Sequence, residues 1–130
     1  MPYRVMFIDD DQFLLDMYAL KFKQSGHEVE SFMEGGAALE ALRGGANVDA
    51  VVLDEVMPGL NGRAILETLK NENLAPGAAH IVLSNQGQDD DVAAAKALGA
   101  DEYIIKASVV PTEVVEKVVA AIEAKRHTKE

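Results

Sequence analysis

The chain has 130 residues, a length that fits one folded domain with a substantial hydrophobic core. Its 22 acidic and 12 basic residues give a formal net charge of −10, and such a surface repels nucleic-acid phosphates and anionic membranes. The sequence has no cysteine for disulfides or thiolate metal sites, and no apolar run as long as a membrane span or a signal-peptide core. We therefore expect a soluble, cytoplasmic protein that contacts neither nucleic acid nor membrane directly.

The first half of the chain alternates short apolar runs with segments of helical periodicity. The run Arg4–Ile8 predicts a strand that ends at three aspartates, and apolar residues between positions 14 and 22 then recur at helical spacing. Asp11 is placed to cap that helix, and Ser25 and Gly26 are placed to end it. Two further elements follow, namely an edge strand over residues 27–32 and a short helix ended by Gly44 and Gly45.

The second half repeats this alternation. The apolar run 50–53 predicts a strand buried on both faces, and this strand ends abruptly at Asp54 before a loop rich in proline and glycine. Two further strands, over residues 81–83 and 103–105, end at Ser84 and Lys106. Helices are predicted around residues 65–69, 92–98 and 111–122, with Asp89, Asp90 and Asp91 as a solvated helix start and a frayed tail over residues 125–130.

Five strands alternating with five helices predict an α/β fold in which helices cover both faces of a parallel sheet. Right-handed crossovers bring the C-terminal ends of all the strands to one edge. Polar residues follow four of these ends, and we expect them to converge: Asp9 and Asp10, Asp54, Ser84, and Lys106. We treat residues 1–130 as a single domain.

The residue types at this edge indicate a particular chemistry. Three carboxylates at a site of low dielectric constant cannot all stay ionised at little cost without a cation. Mg²⁺, or Mn²⁺ in its place, takes oxygen ligands and keeps waters for incoming phosphate oxygens. With the ammonium of Lys106 and the hydroxyl of Ser84, these groups suit phosphoryl transfer to a carboxylate, for which Asp54 is the candidate.

Four segments resemble those of response-regulator receiver domains of two-component systems, in the same order and at the same intervals: VMFIDDD, VVLDEVMPGLNG, IVLSNQG and LGADEYIIKA. The resemblance covers the chain from end to end. It implies a doubly wound, flavodoxin-like (βα)5 fold with strand order 2-1-3-4-5 and a site at the point where that order reverses. It also implies that Asp54 is the phosphoacceptor and that Mg²⁺ is held by Asp9, Asp10, Asp54 and the backbone carbonyl of Val56.

The resemblance assigns further roles around Asp54. Ser84 occupies the position of the switch hydroxyl, and Lys106 that of the phosphate-binding lysine. Tyr103 matches an aromatic residue that turns inward on activation, although a simple packing role stays open. Val56 and Gln86 match positions that influence the lifetime of the aspartyl phosphate.

The resemblance also implies partners. A histidine kinase or a phosphotransfer protein would supply the phosphoryl group. The output would pass through the last two helices and the last strand to another protein, or the domain would be a relay step to a second histidine protein. A homodimer that depends on phosphorylation is a further alternative. The chain would catalyse its own phosphorylation and dephosphorylation and would not turn over external substrates.

The sequence departs from the family pattern close to the expected site. Ala107 follows Lys106 where proline is usual, and because a cis bond before a non-proline residue costs about 3 to 4 kcal/mol, we expect a trans peptide. Asn85 stands where a small residue often lies, and it would either narrow access to the phosphoryl group or donate a hydrogen bond to it. Ser108 replaces a frequent aromatic residue.

Two other functions stay open. The departures at Asn85 and Ala107 would suit a pseudo-receiver that keeps the fold as a binding module without the chemistry. A phosphatase of the haloacid-dehalogenase type also uses an aspartyl nucleophile and Mg²⁺. That family places a second aspartate two residues after the nucleophile, where this chain has Val56, and it needs a capping element for which the chain has no spare length.

The three histidines, His27, His80 and His127, lack metal-ligand spacing, so we assign them to surface or packing positions.

Overall fold

The computed structural model of the chain describes residues 2–57, 59–85 and 88–128, and five strands alternate with five helices along them. The strands are β1 (Arg4–Ile8), β2 (Glu28–Phe32), β3 (Ala50–Leu53), β4 (Ala79–Ser84) and β5 (Glu102–Ile105). The helices are α1 (Gln12–Gln24), α2 (Gly35–Arg43), α3 (Gly62–Asn71), α4 (Asp89–Ala97) and α5 (Pro111–Thr128). None of these helices is long and apolar enough to cross a lipid bilayer.

The five strands form one sheet in the order β2-β1-β3-β4-β5, and every neighbouring pair is parallel. This result confirms the predicted α/β fold and its strand order. It also confirms that β2 lies at an edge of the sheet. The direction of strand addition reverses between β1 and β3, and in open α/β sheets ligands bind beyond the carboxyl ends of the strands at such a point.

Apolar side chains fill two layers, one on each face of the sheet. On one face α1 and α5 pack through residues such as Phe22 and Val118. On the other face α2, α3 and α4 pack through residues such as Leu39, Leu66 and Ala95. The central strands are therefore buried on both sides, which is why their sequences are continuous apolar runs and not alternating ones.

The predicted start and end of α1 are confirmed, and each has a specific local cause. The carboxylate of Asp11 accepts hydrogen bonds from the backbone N–H groups of Phe13 (3.0 Å) and Leu14 (3.3 Å), which caps α1. Gly26 follows α1 with a φ of +89°, a conformation that glycine adopts at little cost. These local signals place the start and the end of α1.

The C-terminal segment differs from the prediction. The frayed tail expected from Lys125 is wrong for Lys125 and Arg126, because α5 continues to Thr128. Lys125 pairs with Asp101 at 3.1 Å, and Arg126 contacts Asp49 while its guanidinium lies 5.0 Å from the ring centre of Tyr3. These long-range contacts hold the last turns of α5 against the sheet, and no local pattern could reveal them. Residues 129 and 130 lie outside the described residues.

Candidate functional site

The backbone places two aspartates side by side at the edge formed by the strand ends. In the parallel register of β1 and β3, Ile8 lies opposite Leu53. The N–H of Asp54 donates to the carbonyl oxygen of Ile8 at 3.0 Å. Since Asp9 follows Ile8 and Asp54 follows Leu53, their side chains meet at the point where the strand order reverses.

Asp10 completes a group of three carboxylates with Asp9 and Asp54. One carboxylate oxygen from each residue can be chosen so that all three lie within 4.8 Å of one another. Asp9 is buried, Asp54 is partly buried and Asp10 is exposed, so the group opens to solvent on one side. An all-oxygen set with one open side fits Mg²⁺, which binds to proteins through a few carboxylates and retains several waters.

The ammonium of Lys106 lies between the two less exposed carboxylates. Its Nζ atom is 2.9 Å from Oδ2 of Asp9 and 3.3 Å from Oδ2 of Asp54, and its side chain is only 10% exposed. Lys106 follows β5 and begins a short 3-10 helix, Lys106–Ser108. The described residues contain no cis peptide bond, so the Lys106–Ala107 bond is trans, as expected. We call Asp9, Asp10, Asp54 and Lys106 the acid cluster.

Burial and charge act in opposite directions on the titratable groups of the acid cluster. Burial raises the pKa of Asp54, and the positive charge of Lys106 offsets this only in part because Asp9 raises it further. Burial alone would lower the pKa of Lys106, but the hydrogen bond to Asp9 and the charges of Asp54 and Asp9 raise it. The cluster therefore keeps its ammonium charged, and it carries more negative charge than that ammonium can balance.

Backbone N–H groups fix the orientation of two of the carboxylates. Asp9 accepts a hydrogen bond from the N–H of Asp11 at 2.9 Å, and Asp54 accepts one from the N–H of Val56 at 3.3 Å. In both cases the Oδ1 atom accepts, and the Oδ2 atom faces Lys106. The role of the Val56 carbonyl oxygen as a metal ligand stays a prediction.

Ser84 and Tyr103 are hydrogen-bonded to each other next to this cluster. Ser84 ends β4 and is only 1% exposed, and its side chain bonds to the hydroxyl of Tyr103 on β5. The Tyr103 hydroxyl also donates to the carboxylate of Glu55. Burial and this carboxylate raise the pKa of Tyr103 well above its usual range. Tyr103 therefore has specific polar partners as well as a packing role.

Sequence reasoning missed a second group of polar side chains at this edge, which we call the Glu55 network: Glu55, Arg63, Asp91 and Tyr103. Glu55 is buried, and its Oε1 atom accepts from Nε of Arg63 at 3.0 Å. Arg63 also donates through Nη2 to Asp91 at 2.9 Å. The interpretation of the acids at the start of α4 as solvated is thus wrong for Asp91. The one available signal was a second acid directly after Asp54, followed by an arginine in the next helix.

Gly62 places α3 directly against the end of β3. A Cβ atom at this position would lie 2.6 Å from the backbone oxygen of Asp54 and 2.7 Å from Cα of Glu55. Such distances are far inside van der Waals contact, so only glycine fits without movement of the backbone. Gly62 therefore supports the acid cluster and the Glu55 network at the same time.

The comparison with protein families agrees with this geometry. The family model described as response regulator receiver domain matches residues 5–119. The chain belongs to this family.

Relatives of this receiver domain include longer proteins. The probable transcriptional regulatory protein TcrX of Mycobacterium tuberculosis is 30% identical over 105 residues, which cover 81% of this chain and 44% of TcrX. Response regulator SaeR of Staphylococcus aureus is 31% identical over 102 residues, which cover 78% of this chain and 43% of SaeR. The chain thus spans less than half the length of the curated relatives it matches.

Solved structures show the same fold. A CheY-like receiver domain protein from Methanospirillum hungatei superposes with a TM-score of 0.87 at 23% identity, covering 98% of this chain and 99% of the other. This likeness extends over nearly all of both chains.

The structure brings together most of the residues predicted for the site of this receiver domain. Asp9, Asp10, Asp54 and Lys106 meet in one cluster, and Ser84 contacts Tyr103 beside it. Asn85 follows β4 and is exposed to solvent. Gln86, predicted to influence the lifetime of the aspartyl phosphate, lies outside the described residues.

Proposed function

We propose that this receiver domain accepts a phosphoryl group on Asp54 from the phosphohistidine of a histidine kinase or a phosphotransfer protein. The observation that carries the proposal is the acid cluster, in which three carboxylates and one ammonium meet at the switch point of the sheet. Membership of the receiver domain family supports it.

The proposed step is an in-line displacement at phosphorus. A carboxylate oxygen of Asp54 forms a bond to phosphorus while the bond between phosphorus and the histidine nitrogen breaks, and the imidazole leaves with the electron pair of that bond. A water later attacks the phosphoryl group, and inorganic phosphate and the Asp54 carboxylate are released. The domain thus acts on its own side chain and does not turn over external substrates.

The residues of the acid cluster have distinct parts in this step. The carboxylates of Asp9, Asp10 and Asp54, with the Val56 carbonyl, would hold Mg²⁺ or Mn²⁺. When bound, the cation supplies positive charge that offsets the charge on the phosphoryl oxygens. The Lys106 ammonium binds a phosphoryl oxygen, and the Ser84 hydroxyl donates to another.

Phosphorylation would then change the population of two states of the output surface. We assign this surface to α4, β5 and α5, where a second protein or a second copy of the domain would bind. Because the chain matches less than half of TcrX and SaeR, the process controlled by those whole proteins is not assigned to it. The proposed location is the cytoplasm, where the phosphodonor protein would be available.

The test is incubation with acetyl phosphate and Mg²⁺, followed by intact-protein mass spectrometry. We expect the wild-type protein to gain the mass of one phosphoryl group, and we expect Asp54→Ala to gain none. The matched control is Asp90→Asn, which changes an exposed aspartate at the start of α4 and should leave the gain intact.

Two outcomes would contradict the proposal. Modification that survives Asp54→Ala would place the acceptor elsewhere. A wild-type protein that neither gains a phosphoryl group nor responds to Mg²⁺ and beryllium fluoride would favour the pseudo-receiver. A structure of the BeF3-activated receiver domain of DrrB from Thermotoga maritima, with a TM-score of 0.80 and 26% identity over 95% of this chain and 99% of that one, motivates this probe.

A further inference from the structure

Glu55 lies directly after the proposed phosphoacceptor, and its carboxylate connects two separate parts of the molecule. The side chain is only 8% exposed, although it is charged. Its Oε1 atom accepts from Arg63 at 3.0 Å, and its Oε2 atom accepts from the hydroxyl of Tyr103. A buried carboxylate is stable in a protein when it is paired and hydrogen-bonded in this way, and here each of its two oxygens has a partner.

Arg63 extends this connection to the next helix. It lies in the first turn of α3, and its guanidinium donates Nε–H to Glu55 and Nη2–H to Asp91 in the first turn of α4. A guanidinium is planar and presents its donors in a fixed fork, so it fixes the relative position of two carboxylates better than an ammonium could. The start of α4 is therefore held to the end of β3.

The direction of the hydrogen bonds at Tyr103 follows from the number of protons available. A tyrosine hydroxyl carries one proton, and an ionised carboxylate only accepts, so Tyr103 donates to Glu55. The hydrogen bond between Ser84 and Tyr103 must then use the Ser84 proton. This one serine proton cannot also be donated to a phosphoryl oxygen on Asp54.

We propose that Glu55 is a positioning residue that holds Tyr103 inward beside Ser84 before phosphorylation, and that Arg63 carries this arrangement to the first turn of α4. The part of this proposal that concerns phosphorylation rests on the proposed function. When Ser84 turns its proton to the phosphoryl group, Tyr103 loses one hydrogen bond but keeps the other to Glu55. The tyrosine should therefore stay inward in both states. The part of the output surface on β5 thus has the same arrangement before phosphorylation as after it.

The test is NMR of the protein with ¹³C-labelled tyrosine rings. The chain has three tyrosines, so Tyr103→Phe assigns the Tyr103 signal by difference. Tyr3 and Tyr18 report on folding, because Tyr18 stacks on Phe7 in the core and Tyr3 stacks on His27 at the other end of the sheet. Spectra are recorded with and without Mg²⁺ and beryllium fluoride.

We expect the wild-type Tyr103 signal to change little on addition of beryllium fluoride. In Glu55→Ala the Tyr103 signal should move without any ligand, while the Tyr3 and Tyr18 signals stay in place. In Arg63→Ala the Tyr103 signal should stay and the backbone amide signals of the first turn of α4 should move. Glu67→Ala, at an exposed acid on α3, is the matched control and should change none of these signals.

The proposal is overturned if Glu55→Ala leaves the Tyr103 signal where Glu67→Ala leaves it. It is also overturned if beryllium fluoride moves the wild-type Tyr103 signal as far as Glu55→Ala does. If Glu55→Ala fails to fold, Glu55→Gln replaces it, since an amide has no charge to pair with Arg63 and only one oxygen, so it cannot accept from Arg63 and from Tyr103 at separate oxygens. A wild-type protein with no response near Asp54 counts against the proposed function, while the comparison without ligand still decides the role of Glu55.

Discussion

The acid cluster and the Glu55 network lie at the same edge of the sheet and differ in how their charges are balanced. In the acid cluster three carboxylates share one ammonium, which lies between Asp9 and Asp54. In the Glu55 network a guanidinium lies between two carboxylates, and the remaining oxygen of Glu55 accepts from Tyr103. The first group has surplus negative charge for a cation to balance, whereas the second has hydrogen-bond partners within the chain. The acid cluster is therefore suited to chemical reaction, whereas the Glu55 network is suited to fixing the positions of side chains.

The largest effect on stability should come from removal of Lys106 from the acid cluster. Lys106→Met leaves the buried Asp9 and the partly buried Asp54 without their cation, so we expect the free energy of unfolding to fall by about 3 to 5 kcal/mol at pH 7. Urea denaturation measures this change, and added Mg²⁺ should restore part of it. Lys125→Met is the control. It removes a lysine that pairs with Asp101 and is more exposed than Lys106, so it should lower the free energy of unfolding by no more than about 1 kcal/mol. Equal losses in the two variants would contradict the account.

A methyl group at Gly62 should disturb both groups together. Because the new Cβ would meet the backbone of Asp54 and Glu55, Gly62→Ala should lower the free energy of unfolding by about 1 to 3 kcal/mol and should slow phosphorylation of Asp54. Gly36→Ala is the matched control, because open space surrounds this glycine in α2, and it should stabilise the protein by up to about 1 kcal/mol. Thermal unfolding and the acetyl phosphate assay check both variants. Normal stability of Gly62→Ala would show that the backbone can move away at little cost.

Metal addition should distinguish the two groups. Mg²⁺ at ten times its dissociation constant should raise the free energy of unfolding by about 1.4 kcal/mol, because only the folded protein holds the three carboxylates together. Asp10→Asn should abolish this increase, and Glu55→Gln should leave most of it. The measurement is thermal unfolding over a series of Mg²⁺ concentrations. Stabilisation by Mg²⁺ that is lost in Glu55→Gln and kept in Asp10→Asn would reverse the assignment.

His80, which belongs to neither group, gives a prediction about how stability depends on pH. It lies near the start of β4, its Nε2 atom is 3.0 Å from the carbonyl oxygen of Ala75, and Lys125 and Asp101 are the charged groups that face it. Burial lowers the pKa of His80 below 6.5, so the unfolded chain binds the proton first as the pH falls.

Stability should therefore fall as the pH drops below about 6.5, by no more than about 1.4 kcal/mol per pH unit for this residue, until the lowered pKa is reached. Urea denaturation between pH 7.5 and 5.5 should show a shallower loss in His80→Gln than in the wild-type protein. Identical slopes would mean that the ring takes up its proton in the folded state without cost.

The sequence predicts the acid cluster well because one rule of geometry brings its members together. Asp9, Asp54 and Lys106 each follow an apolar run, and the ends of parallel strands meet at one edge. The same rule could not find the Glu55 network, whose contacts join residues 8, 28 and 48 positions apart through side-chain direction. The sequence offers a second acid after Asp54 and an arginine in the next helix, but this pattern does not fix that the acid turns inward while Val56 remains exposed.

The C-terminal helix teaches a similar lesson. A polar, charged segment resembles a tail when only its own sequence is considered. Lys125 and Arg126 are instead held by Asp101, Asp49 and Tyr3, which come from three other parts of the chain. Capping and strand-end signals are local and therefore predictable, whereas ion pairs across the fold depend on the finished structure.

Chemical mapping of the phosphoryl group tests the central claim most directly. After reaction with acetyl phosphate and Mg²⁺, borohydride reduces an aspartyl phosphate to homoserine, and peptide mass spectrometry then locates the modified residue. The account predicts homoserine at position 54 in the wild-type protein and its absence when Mg²⁺ is removed by a chelator. Modification at any other aspartate, with Asp54 unchanged, would contradict it.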